Sequence, residues 1–251
     1  MFWLLFGQVV RIALSPPTMR LLYVFLPMNK KILIISPHAD DEILGCGGFI
    51  SKYCKLNYSV YVLILTNANK GAPEIFSEKE IEKIRNEAII ANKSIGTKKV
   101  FFEDLPALNL NNYPLFKISN ILNKYISKIN PEVVLIPSSN DLHEDHKIIF
   151  KAAKVSLRPN KKNDVKKILR YEVLSETEWN EDEKSFNPNY FVSLKKSDIT
   201  NKVNAFLKYK SQVKKFPHPR SKQTIINLSK IRGSQSFMEY AEAFRVEKIF
   251  E

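Results

Sequence analysis

From residue 30 onward the chain alternates short apolar runs with longer amphipathic stretches, and each change of hydrophobic period marks a change of element. Ile32-Leu33-Ile34-Ile35 is rich in β-branched residues, too short for a helix and closed by Ser36-Pro37, so it reads as a buried strand. Residues 47–55 then predict a helix and 60–65 a second buried strand. Residues 77–94 predict a long charged helix opened by Ser77-Glu78-Lys79-Glu80, a capping box. The order repeats, with a strand at 99–102, a helix at 115–129, a strand at 133–136 and a helix at 146–156. Alternation at this spacing requires parallel crossovers and predicts an α/β single domain, a mostly parallel sheet with helices on both faces. Residues 168–174 and 190–194 read as further strands, their pairing open, joined by an acidic segment that holds Trp179. Residues 197–214 have helical period, Pro217-His218-Pro219-Arg220 forms a loop, and from Ser221 the chain reads mainly helical to its end.

The stretch before residue 28 is apolar, but Arg11, Ser15-Pro16-Pro17 and Arg20 interrupt it before any run reaches the roughly 18 residues of a membrane span. It also lacks the basic start and small-residue cleavage site of a secretory signal. Two readings of residues 1–27 stand: a segment lying at a membrane surface, or residues upstream of a start at Met28. The domain proper is taken as 28–251. With 44% hydrophobic and 26% charged residues, 251 residues exclude a disordered chain and bury a core without staples. Cys46 and Cys54 are too few for a disulfide framework or a four-cysteine zinc site, so a reducing cytoplasm is the default and any metal site must use mainly oxygen and nitrogen.

The net charge of +13 is unevenly placed. Residues 1–150 carry 17 basic and 14 acidic side chains, residues 151–251 carry 22 and 12, and eight of the basics lie between Lys151 and Arg170. A lysine-rich solvated face accounts for this, and so does a surface that attracts phosphate, either a nucleotide or an anionic membrane. No nucleic-acid motif is present, so no specific nucleic acid is expected, and no feature sets an oligomeric state.

In open α/β sheets reactive groups collect beyond the carboxyl ends of the strands. Pro37-His38-Ala39-Asp40-Asp41-Glu42 follows the first strand, and Asp141-Leu142-His143-Glu144-Asp145-His146 follows the run ending at Ile136-Pro137. Three of the four histidines lie in these two clusters. Two neutral imidazoles and one carboxylate bind zinc while leaving a position open for water, which makes His38, Asp41 and His146 the candidate ligands. Ferrous iron also suits this set. A metal lowers the pKa of its water towards roughly 7, and a neighbouring carboxylate takes the proton as a carbonyl is attacked, a role that suits Asp40. A protonated His143 suits stabilisation of the oxyanion or protonation of a leaving amine. His146 opens a helix, whose positive end favours the neutral imidazole. Asp145 reads as a partner that orients His143, or as a helix cap.

These residues resemble the two motifs of the PIG-L/LmbE family of zinc-dependent N-deacetylases: Pro-His-Ala-Asp-Asp-Glu after a buried strand, then Gly45-Cys46-Gly47-Gly48, and a later His-Glu-Asp-His. The resemblance runs from about Lys30 into the C-terminal region. Ser175-Glu176-Thr177-Glu178-Trp179, Pro217-His218-Pro219-Arg220-Ser221, Arg232-Gly233-Ser234 and Tyr240-Ala241-Glu242-Ala243-Phe244 look like its bacterial sugar-modifying branch. It implies a Rossmann-like sheet and a hydrolase that removes an N-acetyl group from an amino sugar, nucleotide- or lipid-linked, in surface polysaccharide or glycoconjugate synthesis. By motif position it implies zinc on His38, Asp41 and His146, with Asp40 as general base and His143 as transition-state stabiliser. Ala39 stands where the family usually has proline, at a position that supplies no ligand. Arg85 resembles an arginine near the family's sugar pocket, and His218 and Arg220 are further candidates for substrate binding. The expected setting is cytoplasmic, with peripheral contact at the inner membrane surface. The alternatives are a metal-dependent amidohydrolase acting on a non-sugar N-acyl substrate, and a non-catalytic protein with a basic binding surface.

Overall fold

Alternate side chains of a strand point to opposite faces, and Ile32 to Ile35 accordingly divide between two cores. Ile32 and Ile34 belong to one buried cluster, Leu33 and Ile35 to the other. The computed structural model describes residues 30–159, 164–179 and 186–251, together with an antiparallel pair of two-residue strands at Val9–Val10 and Val24–Phe25. Beyond that pair, the expectations for residues 1–27 lie outside the described residues, as do residues 160–163 of the basic stretch. Among the described residues no helix is long and apolar enough to cross a membrane.

The main sheet has seven strands: β1 (Lys31–Ser36), β2 (Ser59–Asn67), β3 (Lys99–Pro106), β4 (Val133–Pro137), β5 (Lys167–Tyr171), β6 (Tyr190–Leu194) and β7 (Tyr240–Ile249), in the order β3-β2-β1-β4-β5-β7-β6. The first five run parallel, while β7 pairs antiparallel with both β5 and β6. The helices are α1 (Asp41–Lys55), α2 (Ala68–Gly71), α3 (Glu78–Ile95), α4 (Leu115–Ile129), α5 (Glu144–Ser156), α6 (Lys196–Phe206) and α7 (Lys222–Ser234). From β1 the chain winds outward to β2 and β3, then returns to build β4 and β5 on the other side. Right-handed crossovers therefore put α1 and α3 on one face and α4 and α5 on the other. The order reverses between β1 and β4, whose Ile32, Leu33 and Ile34 pair with Val133, Val134 and Leu135. A crevice at such a reversal is where open α/β sheets bind ligands.

Two expectations need correction. The chain is not helical to its end: after α7 it forms β7, a ten-residue strand buried from Tyr240 to Phe244 between β5 and β6. Alanines at 241 and 243, which read as helical, fit here because this strand is covered on both faces. Helix α1 also begins at Asp41 instead of residue 47. Its glycines are weak helix formers, but tertiary packing demands them. A Cβ on Gly45 would overlap the Tyr171 ring, one on Gly47 would strike Lys202 and one on Gly48 would strike Leu194.

That close approach lets a buried ion pair sit against the helix. Lys202 Nζ lies 2.6 Å from Glu242 Oε1, both side chains are 5% exposed, and Glu242 also accepts the N–H groups of Gly48 and Phe49. Lys202→Met strands the Glu242 carboxylate and should lower the unfolding free energy by about 3–5 kcal/mol in urea denaturation. The double change K202M/E242Q should recover part of that loss.

Candidate metal centre

The loops after β1 and β4 meet at the reversal of strand order and bring His38, Asp41 and His146 together. Pro37 carbonyl oxygen accepts from Thr66 N and Oγ1, fixing the chain as it leaves β1, and His38 N donates to Asp41 Oδ2 at 2.8 Å. His146 is carried in the first turn of α5, whose N-cap is His143. Three atoms then form a nearly equilateral triangle. His38 Nδ1 lies 3.3 Å from Asp41 Oδ2 and 3.2 Å from His146 Nε2, and His146 Nε2 lies 3.2 Å from Asp41 Oδ2. A tetrahedral ion with ligand bonds of about 2.0 Å has ligand–ligand edges of about 3.3 Å, so these atoms already have the spacing of three zinc ligands. Asp41 Oδ1 is buried without a hydrogen-bond partner, as one oxygen of a carboxylate turned to a cation would be. His38, His143 and Asp145 form a second group with donor atoms in reach of one ion, but His143 Nδ1 accepts the Asp145 N–H and stands 3.9 Å from Asp145 Oδ2.

The second ring nitrogen of each candidate ligand histidine is held by a carboxylate. His38 Nε2 meets Asp145 Oδ2 at 3.1 Å, and His146 Nδ1 meets Asp141 Oδ2 at 2.7 Å. Such partners fix the ring orientation and raise ligand basicity. Asp145 thus orients His38, where the sequence pointed to His143. Asp141 supports His146 and itself accepts from Thr177 Oγ1 at 2.5 Å.

The carboxylates set the protonation of the whole site. Burial alone lowers an imidazole, yet Asp145 and Asp41 outweigh it at His38, whose pKa is pushed up to about 9. Asp41 and Asp141 overcome burial at His146 in the same way and push it up to about 10. At His146 the helix terminus contributes about 0.3–1 kcal/mol towards the neutral ring, and two carboxylates in contact contribute more in the opposite direction. Asp41, although buried, is held well below the usual carboxylate range by His146 and His38. Burial pushes Asp40 up to about 8, against the pull of Arg220. Burial and the charge on His38 push His143 down to about 4. With Nδ1 accepting from Asp145 N, His143 is a neutral donor through Nε2, in place of the protonated acid expected from the sequence.

Residues 33–157 match the family model described as "PIG-L: GlcNAc-PI de-N-acetylase". These residues carry a PIG-L domain match over just under half of the chain. The Escherichia coli K12 protein named "Uncharacterized deacetylase YaiS" is 28% identical over 183 residues, which span 73% of this chain and 92% of that protein. The Bacillus subtilis 168 protein named "Probable N-acetyl-alpha-D-glucosaminyl L-malate deacetylase 2" is 26% identical over 147 residues, 55% of this chain and 65% of its own length. N,N'-diacetylchitobiose deacetylase from Pyrococcus horikoshii shares the fold, with a TM-score of 0.68 and 22% identity over 86% of this chain and 83% of that one.

A cavity of about 440 Å³ opens beside the triangle and is lined by His38, Asp40, His143, Arg85 and Arg220. Asp40 enters it in the left-handed region at φ 115°, a conformation that costs an aspartate about 1–3 kcal/mol. Glu42 holds that turn: it accepts from Asp40 N, Asn92 Nδ2 and Tyr209 Oη. Arg85 is fixed by Glu103 carbonyl oxygen and Asp104. Arg220 donates to Ser175 and Gln212 and stands 3.6 Å from Asp40 Oδ2, so it faces the acid as well as the cavity. His218 is not brought into the cavity. Its ring is exposed, and Nδ1 accepts from Arg220 N to close its own loop.

Asp141, Thr177, Asn92 and Tyr209 were not singled out by sequence reasoning. Asp141 carried a signal, since it opens the second polar cluster, whereas the other three gain their roles only through packing. Asp141→Asn should weaken zinc binding by about 10–100-fold in a competitive chelator titration while leaving the fold intact. Because His38 and His146 hold protons at neutral pH, zinc loading should release about one proton or more per ion at pH 7, and affinity should fall as pH falls. A zinc titration in weakly buffered solution reads both.

Proposed function

We propose that this chain is a zinc-dependent deacetylase that removes the N-acetyl group of an amino sugar carried on a nucleotide or lipid in the synthesis of a surface glycan. The observation that carries the reading is the triangle of His38 Nδ1, Asp41 Oδ2 and His146 Nε2 at the edge of a cavity that Asp40 and His143 also line. When bound there, the cation supplies Lewis acidity and lowers the pKa of water towards roughly 7. Asp40, with a pKa near neutrality, accepts the proton of the attacking water, and a general base works best when its pKa lies near the working pH. His143 donates Nε2–H to the carbonyl oxygen as negative charge develops on it. Asp40 then returns its proton to the leaving amine, which gives acetate and the free amino sugar.

An amino-sugar substrate is supported by the diacetylchitobiose and glucosaminyl malate in the names of two similar proteins. Arg85 and Arg220 supply cationic donors to sugar hydroxyls or an attached anion. Asp40→Asn should keep its zinc yet lower the rate of acetate release by about 10²–10⁴-fold, whereas Asp41→Ala should lose the metal as well. The assay is acetate release from a panel of N-acetyl amino sugars, with simple N-acetyl amines beside them. Release from the amines alone would move the substrate to the non-sugar class. A zinc-loaded chain that hydrolyses neither set would refute the reading.

A further inference from the structure

One buried cation takes no part in the hydrolysis described so far. Arg170 stands near the end of β5 and is 9% exposed. Alternate residues of a strand share a face, so Arg170 lies on the side of Ile168, under the layer of α4 and α5. A guanidinium in that position is costly unless its donors are met. It is absent from the lining of the cavity beside the triangle, so contact with substrate does not explain it.

Its donors are divided between two elements. Nε stands 2.5 Å from Glu247 Oε1 on β7, an ion pair in which the N–H is not aimed at the oxygen. Nη1 donates to Ser139 Oγ at 2.7 Å and to Asn140 Oδ1 at 3.3 Å. The Phe150 ring of α5 covers the group, with its centre 5.4 Å from Cζ. Glu247 also meets a half-exposed cation, Lys154 Nζ at 2.8 Å.

Ser139 and Asn140 begin the segment that joins β4 to α5, and Asp141 follows them. Asp141 Oδ2 meets His146 Nδ1 at 2.7 Å, so the course of this segment decides how the His146 ring is turned. The segment is tied on both sides of that carboxylate. Beyond it, Leu142 N donates to Glu176 carbonyl oxygen, and Thr177 Oγ1 donates to Asp141 Oδ1. Before it, Ser138 Oγ accepts from Asn140 N while Arg170 holds Ser139 and Asn140. Backbone pairing already joins β5 to β7 from Lys167 to Tyr171, so the contact that Arg170 adds is the one to the loop. An ammonium would balance Glu247 as a point charge, but the guanidinium fork reaches β7 and the loop at once.

We infer that Arg170 is a positioning residue for the metal centre: it fixes Ser139 and Asn140 so that Asp141 meets His146 Nδ1 and turns Nε2 of that ring to the triangle. The inference rests on the zinc reading above for its consequence, and on the loop contacts alone for the placement of Asp141.

Two readouts test it, the first without metal. In the metal-free chain the buried His146 Nδ1–H, held by Asp141, should give a slowly exchanging downfield proton resonance. Arg170→Met should broaden or remove it, and so should Ser139→Ala, which takes away an Nη1 acceptor and leaves the sheet intact. In a competitive chelator titration Arg170→Met should weaken zinc binding by about tenfold, and Arg170→Lys, which keeps the charge but not the fork, should not restore it. In an Asp141→Asn background Arg170→Met should cost little more, because the two residues act in series. Lys154→Ala removes the other partner of Glu247 and should change neither readout.

An unaltered resonance and zinc affinity in Arg170→Met, with only the unfolding free energy lowered, overturns the inference and assigns Arg170 to the sheet. So does an equal loss with and without Asp141→Asn, or the absence of the resonance from the wild-type chain. Should Arg170→Met not fold, Ser139→Ala decides: no change in either readout overturns the inference. A wild-type chain that binds no zinc refutes the deacetylase reading, and the resonance then judges the placement of Asp141 by itself. The expected pattern in both readouts without acetate release from any N-acetyl sugar supports the role of Arg170 and refutes the deacetylase.

Discussion

Buried negative charge is the constraint on which this molecule is organised. Asp40, Asp41, Glu42, Asp141 and Asp145 are each no more than 2% exposed, and a cluster of carboxylates out of water is untenable unless something positive shares the space. His38 and His146 lie between these carboxylates, which raise both imidazoles, at positions where a divalent cation would satisfy the same charges. The raised imidazoles, the depressed Asp41 and the unpartnered Asp41 Oδ1 follow from this balance. Asp40 stands apart: its nearest cation is Arg220 at 3.6 Å, so burial dominates and leaves it with a base strength suited to neutral pH.

The fold supplies the site through three contacts remote from the chemistry. Pairing of β1 with β4 brings the loops that carry His38, Asp41 and His146 together. Glycines along α1 let β5, α6 and β7 come close enough to clamp the start of that helix, where Asp41 and Glu42 lie. Tyr209 and Asn92, from behind the first turn, hold Glu42, which in turn holds the strained Asp40 peptide. The candidate ligands are thus carried by the rigid scaffold, while Arg85 and Arg220 reach in from a helix and a loop at the edge of the cavity.

The parallel half of the sheet was legible in sequence because each buried strand is a short apolar run and each helix shows its own period. The capping box at Ser77 and Glu80 forms as its spacing requires. The polar clusters at the strand ends pointed to His38, Asp41 and His146 as neighbours, since two polar loops in a histidine-poor chain converge when their strands are neighbours. What failed depended on the third dimension. Strand β7 has alanines that favour a helix and is made a strand by partners on both sides. The early start of α1 was hidden by glycines whose reason is the approach of other elements. His218 looked available but stays exposed outside the cavity, its Nδ1 accepting from Arg220 N in its own loop. The proton affinities of His143 and His146 depend on the sum over several neighbouring charges, which no local pattern discloses.

The most direct test of the central claim is anomalous scattering at the zinc edge from crystals of the zinc-loaded protein. A single strong peak about 2.0–2.2 Å from His38 Nδ1, Asp41 Oδ2 and His146 Nε2 is the expected result. A peak among His38, His143 and Asp145 instead, or no ordered peak at the triangle in zinc-loaded crystals, would contradict it.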